Sequence, residues 1–207
     1  MRLLRLLFFS RLLLAASEAT PEITVHVYDY SAAGQHEVAE GIRGAAHILE
    51  QANVRTGWSY CRVGADPSNA KTGCAGSARG RTHLIVRILP EHMARRLNAR
   101  PRVLGMSLTT SSATLPTDAY LFYDRAVKLA AATSTQGPAL LGAALAHEVG
   151  HLLLGDNSHS GSGLMRDRWV GADLKLLLTG SLLFNRAEEN RLRIAVIHRV
   201  SQSVSLP

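Results

Sequence analysis

Cysteine and aromatic residues are scarce in this sequence. Its 207 residues include two cysteines, Cys61 and Cys74, and aromatic residues make up 5%. Two cysteines form one disulfide or remain free thiols, so the fold cannot depend on a disulfide framework. They also lack the C-x-x-C spacing of a zinc-binding pair. We therefore expect an ordinary hydrophobic core, which a chain of this length is able to bury.

Internal repeats, low-complexity segments and apolar runs long enough to span a bilayer are also missing. Without such a run, the sequence predicts no transmembrane segment. Hydrophobic residues make up 46% and charged residues 19%, which is typical of a globular chain and not of a disordered one. The length and composition predict a single domain over residues 20–207, and we expect a monomer.

The net charge is +7 at pH 7, and much of the excess is arginine scattered along the chain. A nucleic-acid-binding surface would combine basic residues with interleaved aromatic residues in one stripe, and no such stripe is present. The charge therefore indicates a solvated basic surface, and we expect no nucleic-acid partner.

The first 19 residues have a basic start, an apolar run and then small residues. This order is typical of a signal peptide, with cleavage within Ala15–Ala19, although Arg11 interrupts the apolar run. We predict export to the periplasm or the cell exterior. A cytosolic amphipathic leader and a wrongly assigned start codon are the alternatives.

Alternating and β-branched residues predict a first strand at 23–30, and helical spacing follows at 36–52. A second strand at 54–61 completes a strand–helix–strand unit, which favours two parallel, neighbouring strands. The chain therefore reads as an α/β (α+β) fold with a mixed, twisted sheet. Further strands are predicted at 82–89, 103–109 and 119–123, and helices at 91–98, 124–132, 138–154, 172–178 and 187–200.

The apolar helix predicted at 138–154 carries His147-Glu148-Val149-Gly150-His151, an H-E-x-x-H pattern. Positions four apart lie on one face of a helix, so His147 and His151 point the same way and are able to bind Zn2+ together. Glu148 lies about 100° round the helix, where it can act on water as a general base without binding the metal. The pattern predicts a zinc-dependent hydrolase.

A catalytic zinc site needs a third protein ligand and one open position. His159, in the loop after the helix, is the first candidate, because Gly155 lets the chain leave the helix and fold back. Glu188 or Glu189 is the main alternative, since other H-E-x-x-H enzymes use a glutamate from a later helix. Asp156 and Asp173 are weaker candidates.

The segment around the motif resembles the metzincin clan of zinc metallopeptidases, whose pattern is H-E-x-x-H-x-x-G-x-x-H followed by a methionine turn. Gly155 comes one position later than in that pattern and His159 two positions later, and Met165 is the candidate turn residue. The resemblance implies a zincin-like catalytic domain with His147, His151 and His159 as zinc ligands and Glu148 as the catalytic base. It also implies a small C-terminal helical part beneath the metal.

By the same resemblance, an extended peptide substrate would lie along an edge strand, expected at 119–123, with 110–117 on the rim of the cleft. Tyr120, Tyr123 and Trp169 are able to approach the site, and packing is the alternative role for each. Two other functions fit a zinc site in this chain. One is a zinc-binding regulatory protein without peptidase activity, and the other is a zinc amidase that acts on cell-wall material.

Overall fold

The computed structural model describes residues 22–63, 80–108, 116–155 and 158–204. The predicted leader at 1–19, Cys74, Asp156 and most of the predicted rim at 110–117 lie outside these residues. Cys61 is buried and disulfide-bonded. No helix in the described residues is both long enough and apolar enough to cross a membrane.

Strands and helices follow the sequence pattern closely over the described residues. The periodicity and the turn residues agree in most places, so predicted and observed boundaries differ by few residues. The strands are β1 (Glu22–Asp29), β2 (Arg55–Arg62), β3 (His83–Leu89), β4 (Gly105–Leu108) and β5 (Asp118–Phe122). The helices are α1 (Gln35–Gln51), α2 (Glu91–Arg96), α3 (Tyr123–Thr133), α4 (Gly137–Leu154), α5 (Gly171–Leu178) and α6 (Arg186–Val204).

The five strands form one mixed sheet in the order β2-β1-β3-β5-β4. β1 is parallel to both β2 and β3, which confirms the predicted crossover through α1. β5 is parallel to β3, and β4 pairs with β5 in the antiparallel direction. The expectation that 119–123 is the edge strand is therefore wrong. β4 pairs on the outer side of β5, so β4 is the edge and β5 lies inside the sheet.

Helix α4 lies in the middle of the hydrophobic core, as its apolar residues predict. Thirteen of its residues are buried, so it has no solvent-facing stripe. It packs closely against α1, where Gly142 lies against the carbonyl of Gly41. A helix enclosed in this way is a rigid support for side chains that must keep a fixed geometry.

The C-terminal end of α4 is closed by a glycine and by two arginines from α6. Gly155 has φ 86° and ψ 175°, a backbone region that is essentially restricted to glycine, so the chain leaves the helix in an extended direction. The final carbonyls need partners, because no further helical turn supplies them. Arg199 donates to the carbonyl of Leu152 at 2.6 Å, and Arg191 donates to the carbonyl of Leu154 at 3.3 Å.

Candidate metal centre

Three histidine rings meet at the C-terminal half of α4. His147 and His151 are one helical turn apart, and His159 comes from the segment that follows the helix. Nε2 of His151 lies 3.0 Å from Nε2 of His147 and 3.1 Å from Nε2 of His159. The potential ligand atoms of all three lie within 4.8 Å of one another. The structure therefore brings together the three histidines that the sequence analysis selected.

The spacing of these nitrogens fits a zinc ion. Tetrahedral ligands at about 2.0–2.1 Å from zinc are about 3.3–3.4 Å apart, close to the separations seen here. Hydrogen bonding alone explains the cluster less well, because a single proton at His151 Nε2 would have to serve both short contacts. One cation would instead take up a lone pair from each ring. Imidazole nitrogens are also ligands that zinc commonly binds.

The outer nitrogens of the two helix histidines are held by hydrogen bonds. Nδ1 of His147 donates to the carbonyl of Leu164 at 2.8 Å, so the lone pair of the neutral ring is at Nε2. Nδ1 of His151 lies 2.9 Å from the hydroxyl of Ser158, which is buried. Such partners orient a metal-binding ring and fix its tautomer. Burial lowers the pKa of His147 to about 4, so its ring is neutral at pH 7.

His159 is the most exposed of the three rings. Its side chain is 41% exposed, and its Nδ1 lies 3.7 Å from a carboxylate oxygen of Asp167, which is itself exposed. The backbone next to it is anchored, because the amide of Ser160 donates to the carbonyl of Met165 at 2.9 Å. His159 therefore reaches the cluster from a loop that is tied to the candidate methionine turn.

Met165 lies directly under the helix that carries the motif. It is fully buried, and a Cβ atom added to Gly150 would come within 2.6 Å of its sulfur. The preceding residue, Leu164, supplies the carbonyl that accepts from His147, and the indole of Trp169 donates to the same oxygen at 3.0 Å. This turn thus supports α4 from below and orients one of the three rings.

Glu148 is buried on another side of α4. It is 3% exposed, and its Oε2 has no hydrogen-bond partner among the described residues. Its carboxylate lies against Gly105 of β4, where a Cβ atom would overlap both the carboxylate and the carbonyl of Tyr120. Burial raises the pKa of Glu148 to about 8. A buried carboxyl group with a free oxygen is ready to exchange a proton with a bound molecule.

A cavity of about 980 Å³ opens beside this cluster. The three histidines, Glu148 and Trp169 line one part of it, and β4 contributes Gly105, Met106 and Ser107. The remaining wall comes from α2, α3, the chain between α2 and β4, and residues 166–168 beside Trp169. The candidate metal centre, the buried carboxylate and the edge strand therefore share one space that is large enough for several residues of a peptide.

The other ligand candidates have different partners in this structure. Glu188 accepts from the amide of Asn185 at 2.8 Å and so closes the first turn of α6. Asp173 accepts from the amide of Val170 at 2.9 Å at the start of α5. The metal-capable group found among the described residues contains the three histidines, and neither Glu188, Glu189 nor Asp173 belongs to it.

Of the three aromatic candidates, Trp169 lies at the site, and the two tyrosines have other contacts. Trp169 lines the cavity and meets the ring of His147 edge-on, with the ring centroids 5.9 Å apart. Tyr123 instead donates to a carboxylate oxygen of Glu37 on α1 at 2.8 Å, and burial raises its pKa to about 12. Tyr120 packs in a small hydrophobic cluster with Leu89 and is not among the residues that line the cavity.

Three features of the site were missed by sequence reasoning. Ser158 resembles any other polar loop residue, and its contact with His151 depends on how the loop folds back. The carbonyl of Leu164 leaves no signal in the side-chain sequence. Gly105 reads as a turn or strand glycine, and its role becomes visible only when β4 is placed against Glu148.

No protein-family model and no curated protein matches this sequence. Among solved structures, the fold is similar to the crystal structure of archaemetzincin from Methanopyrus kandleri, with a TM-score of 0.52 and 12% sequence identity. The match covers 85% of this chain and 96% of that chain. The similarity shows the fold, which is a zincin-like mixed α/β fold. That neighbour bears the name of the metzincin clan that the motif resembles.

Proposed function

We propose that this chain is a zinc-dependent metallopeptidase. His147, His151 and His159 hold the metal, and Glu148 is the general base. The observation that carries this proposal is the shared cavity, which is lined both by the three converging histidines and by the buried carboxyl group of Glu148. The zincin-like fold supports it, because zinc hydrolases use such a helix to present both kinds of group.

The protein residues divide the work of peptide hydrolysis. A zinc ion at the histidines supplies Lewis acidity to the scissile carbonyl and lowers the pKa of water towards 7. The positive charge of a metal at the histidines would lower the pKa of Glu148, whose carboxylate would then take the proton of the attacking water and afterwards give it to the leaving nitrogen.

The edge strand β4 is where we place the substrate backbone. β4 pairs with β5 on one side, and no described strand pairs with its other side. An extended peptide binds to such an edge by adding a strand to the sheet. Three residues of β4 also line the cavity, so a peptide there would pass beside Glu148. We propose a peptide or protein substrate in an extended conformation.

The test is the Glu148→Gln variant. Glutamine has nearly the same shape but cannot accept the proton, so hydrolysis of a broad peptide library should fall by about 10²–10⁴-fold. Zinc content, measured by elemental analysis, should stay at the wild-type value because Glu148 is not a ligand. A variant that retains full activity would exclude Glu148 as the base. If the wild-type chain holds zinc and cleaves no peptide, the regulatory or amidase alternative replaces the peptidase.

A further inference from the structure

One wall of the cavity carries an excess of positive charge. It is formed by α2, α3 and the chain that leads into β4, and we call it the basic wall. Four basic residues on it face one acidic residue: Arg95, Arg102, Arg125 and Lys128 against Glu91. None of these residues belongs to the candidate metal cluster. The basic wall therefore needs an explanation separate from the metal centre.

The single acid of the basic wall is already neutralised. The guanidinium of Arg125 donates to Glu91 at 2.9 Å, and it also donates to the carbonyls of Arg100 and Val103 at 2.7 and 3.1 Å. Arg125 also lies 4.6 Å from the ring centre of Phe122. The hydrogen bond from Arg125, followed by smaller effects of Arg95 and Lys128, lowers the pKa of Glu91 below its ordinary value. Glu91 and Arg125 thus form a fixed pair.

Two further cations stand beside this pair. Arg95 comes four residues after Glu91 on α2, and Lys128 comes three residues after Arg125 on α3. Residues at these spacings lie on the same helix face, so both side chains extend along the cavity wall beyond the pair. Both are exposed, and neither has an ion-pair partner among the described residues. They are available to an anionic group that enters the cavity.

The rest of the basic wall is apolar. Val103, Leu104 and Leu129 line the cavity on the same elements as the cations. A ligand for this surface combines an apolar stem with a terminal negative charge. Aspartate and glutamate side chains have this form, and like-charge repulsion opposes lysine and arginine.

We propose that the cavity selects peptides with an acidic side chain whose carboxylate binds between Arg95 and Lys128. This inference rests on the proposed peptidase function and names its substrate class. In this proposal Arg95 and Lys128 determine specificity. Arg125 pairs with Glu91, so that Glu91 does not neutralise Arg95 or Lys128.

The experiment measures peptide binding, so that it does not depend on turnover. Two end-blocked, fluorescein-labelled peptides of equal length differ only in having glutamates or lysines at the same positions. Binding to the zinc-loaded Glu148→Gln protein is followed by fluorescence anisotropy. The double variant Arg95→Gln/Lys128→Gln is compared with Lys175→Gln/Arg193→Gln, which removes the same charge from exposed positions on α5 and α6.

We expect the glutamate peptide to bind more tightly than the lysine peptide, and the cavity variant to lose about fivefold of its affinity for it. The control variant should bind it within about twofold of the parent protein. Equal binding of the two peptides would overturn the proposal, and so would equal losses in the two double variants. Zinc content and hydrolysis by the wild-type chain are measured separately, so failure of the peptidase proposal is distinguishable from failure of this one.

Discussion

On one side of α4, the rings of His147 and His151 are each held at Nδ1 by a hydrogen bond. On the other side, the carboxyl group of Glu148 packs closely against Gly105, and its Oε2 has no hydrogen-bond partner within the described part of the chain. On the first side, hydrogen bonds fix the orientation of the two imidazole rings. This suits ligands whose Nε2 lone pairs must point at one metal ion. The second side fixes the position of the Glu148 carboxyl group through close packing, as the proposed proton transfer requires.

This difference has an energetic consequence. On the histidine side, both Nδ1 atoms have partners within the protein, so the orientation of the His147 and His151 rings is maintained without a ligand. On the Glu148 side, Oε2 has no hydrogen-bond partner among the described residues, and a buried polar atom left unsatisfied costs about 1–3 kcal/mol in general. Active sites commonly contain such locally unfavourable arrangements, because a group ready for chemistry is one that the protein itself does not satisfy. The two sides should therefore respond differently to small substitutions.

Among residues outside the proposed ligands and base, the largest effect is expected at Gly105. The Gly105→Ala variant places a methyl group where the carboxylate of Glu148 lies, so the carboxylate must move. A displacement of about 1 Å lowers catalysis by about 100-fold, and we expect that loss in kcat with unchanged zinc content. Gly34→Ala is the control, because a methyl group there meets nothing within 4 Å.

A double-mutant cycle sharpens this prediction. If Gly105 acts through Glu148, adding Gly105→Ala to the Glu148→Gln variant should change the residual rate by about twofold at most. Thermal unfolding of each variant checks that the sheet remains intact, because the same methyl group also approaches the carbonyl of Tyr120. Loss of zinc from Gly105→Ala, or independent effects of the two substitutions, would contradict the proposed packing role.

A smaller effect is expected at Ser158. The Ser158→Ala variant removes the hydroxyl beside Nδ1 of His151 and leaves the ring itself in place. Loss of such a partner lowers metal affinity by about 10-fold, while activity at saturating zinc should stay close to the wild-type value. Competition with a chromophoric chelator measures the affinity. Ser162→Ala in the same segment is the control, and equal affinities for the two variants would remove Ser158 from the site.

The sequence predicts most of the scaffold because local signals agree. Three segments each have one consistent interpretation: the alternation in 23–30, the helical spacing in 36–52 and the apolar run around His147. The structure forms β1, α1 and α4 there. The prediction that 119–123 forms the edge strand of the sheet was wrong for a physical reason. Both 103–109 and 119–123 read as short strands, and only the pairing of β4 with the outer side of β5 decides which one is the edge.

The candidate site was predictable to the extent that it lies on one helix. The i, i+4 spacing places His147 and His151 together from geometry alone, and Glu148 follows from the helical turn. The position of His159 depends on a loop, so the sequence favours it over Glu188 by family resemblance, and only the fold brings its ring beside the other two. The basic wall was not predictable, because Arg95 and Lys128 lie on separate helices whose mutual placement no local pattern specifies.

The central claim is that three histidines of this chain hold one zinc ion. Elemental analysis of the purified protein, dialysed against a weak chelator, tests it most directly when the wild type is compared with His159→Ala. We predict about one zinc per wild-type chain, and a loss of most of that zinc in the variant because two histidines remain as ligands. A folded wild-type chain without zinc, or a variant that retains the full amount, would contradict the claim.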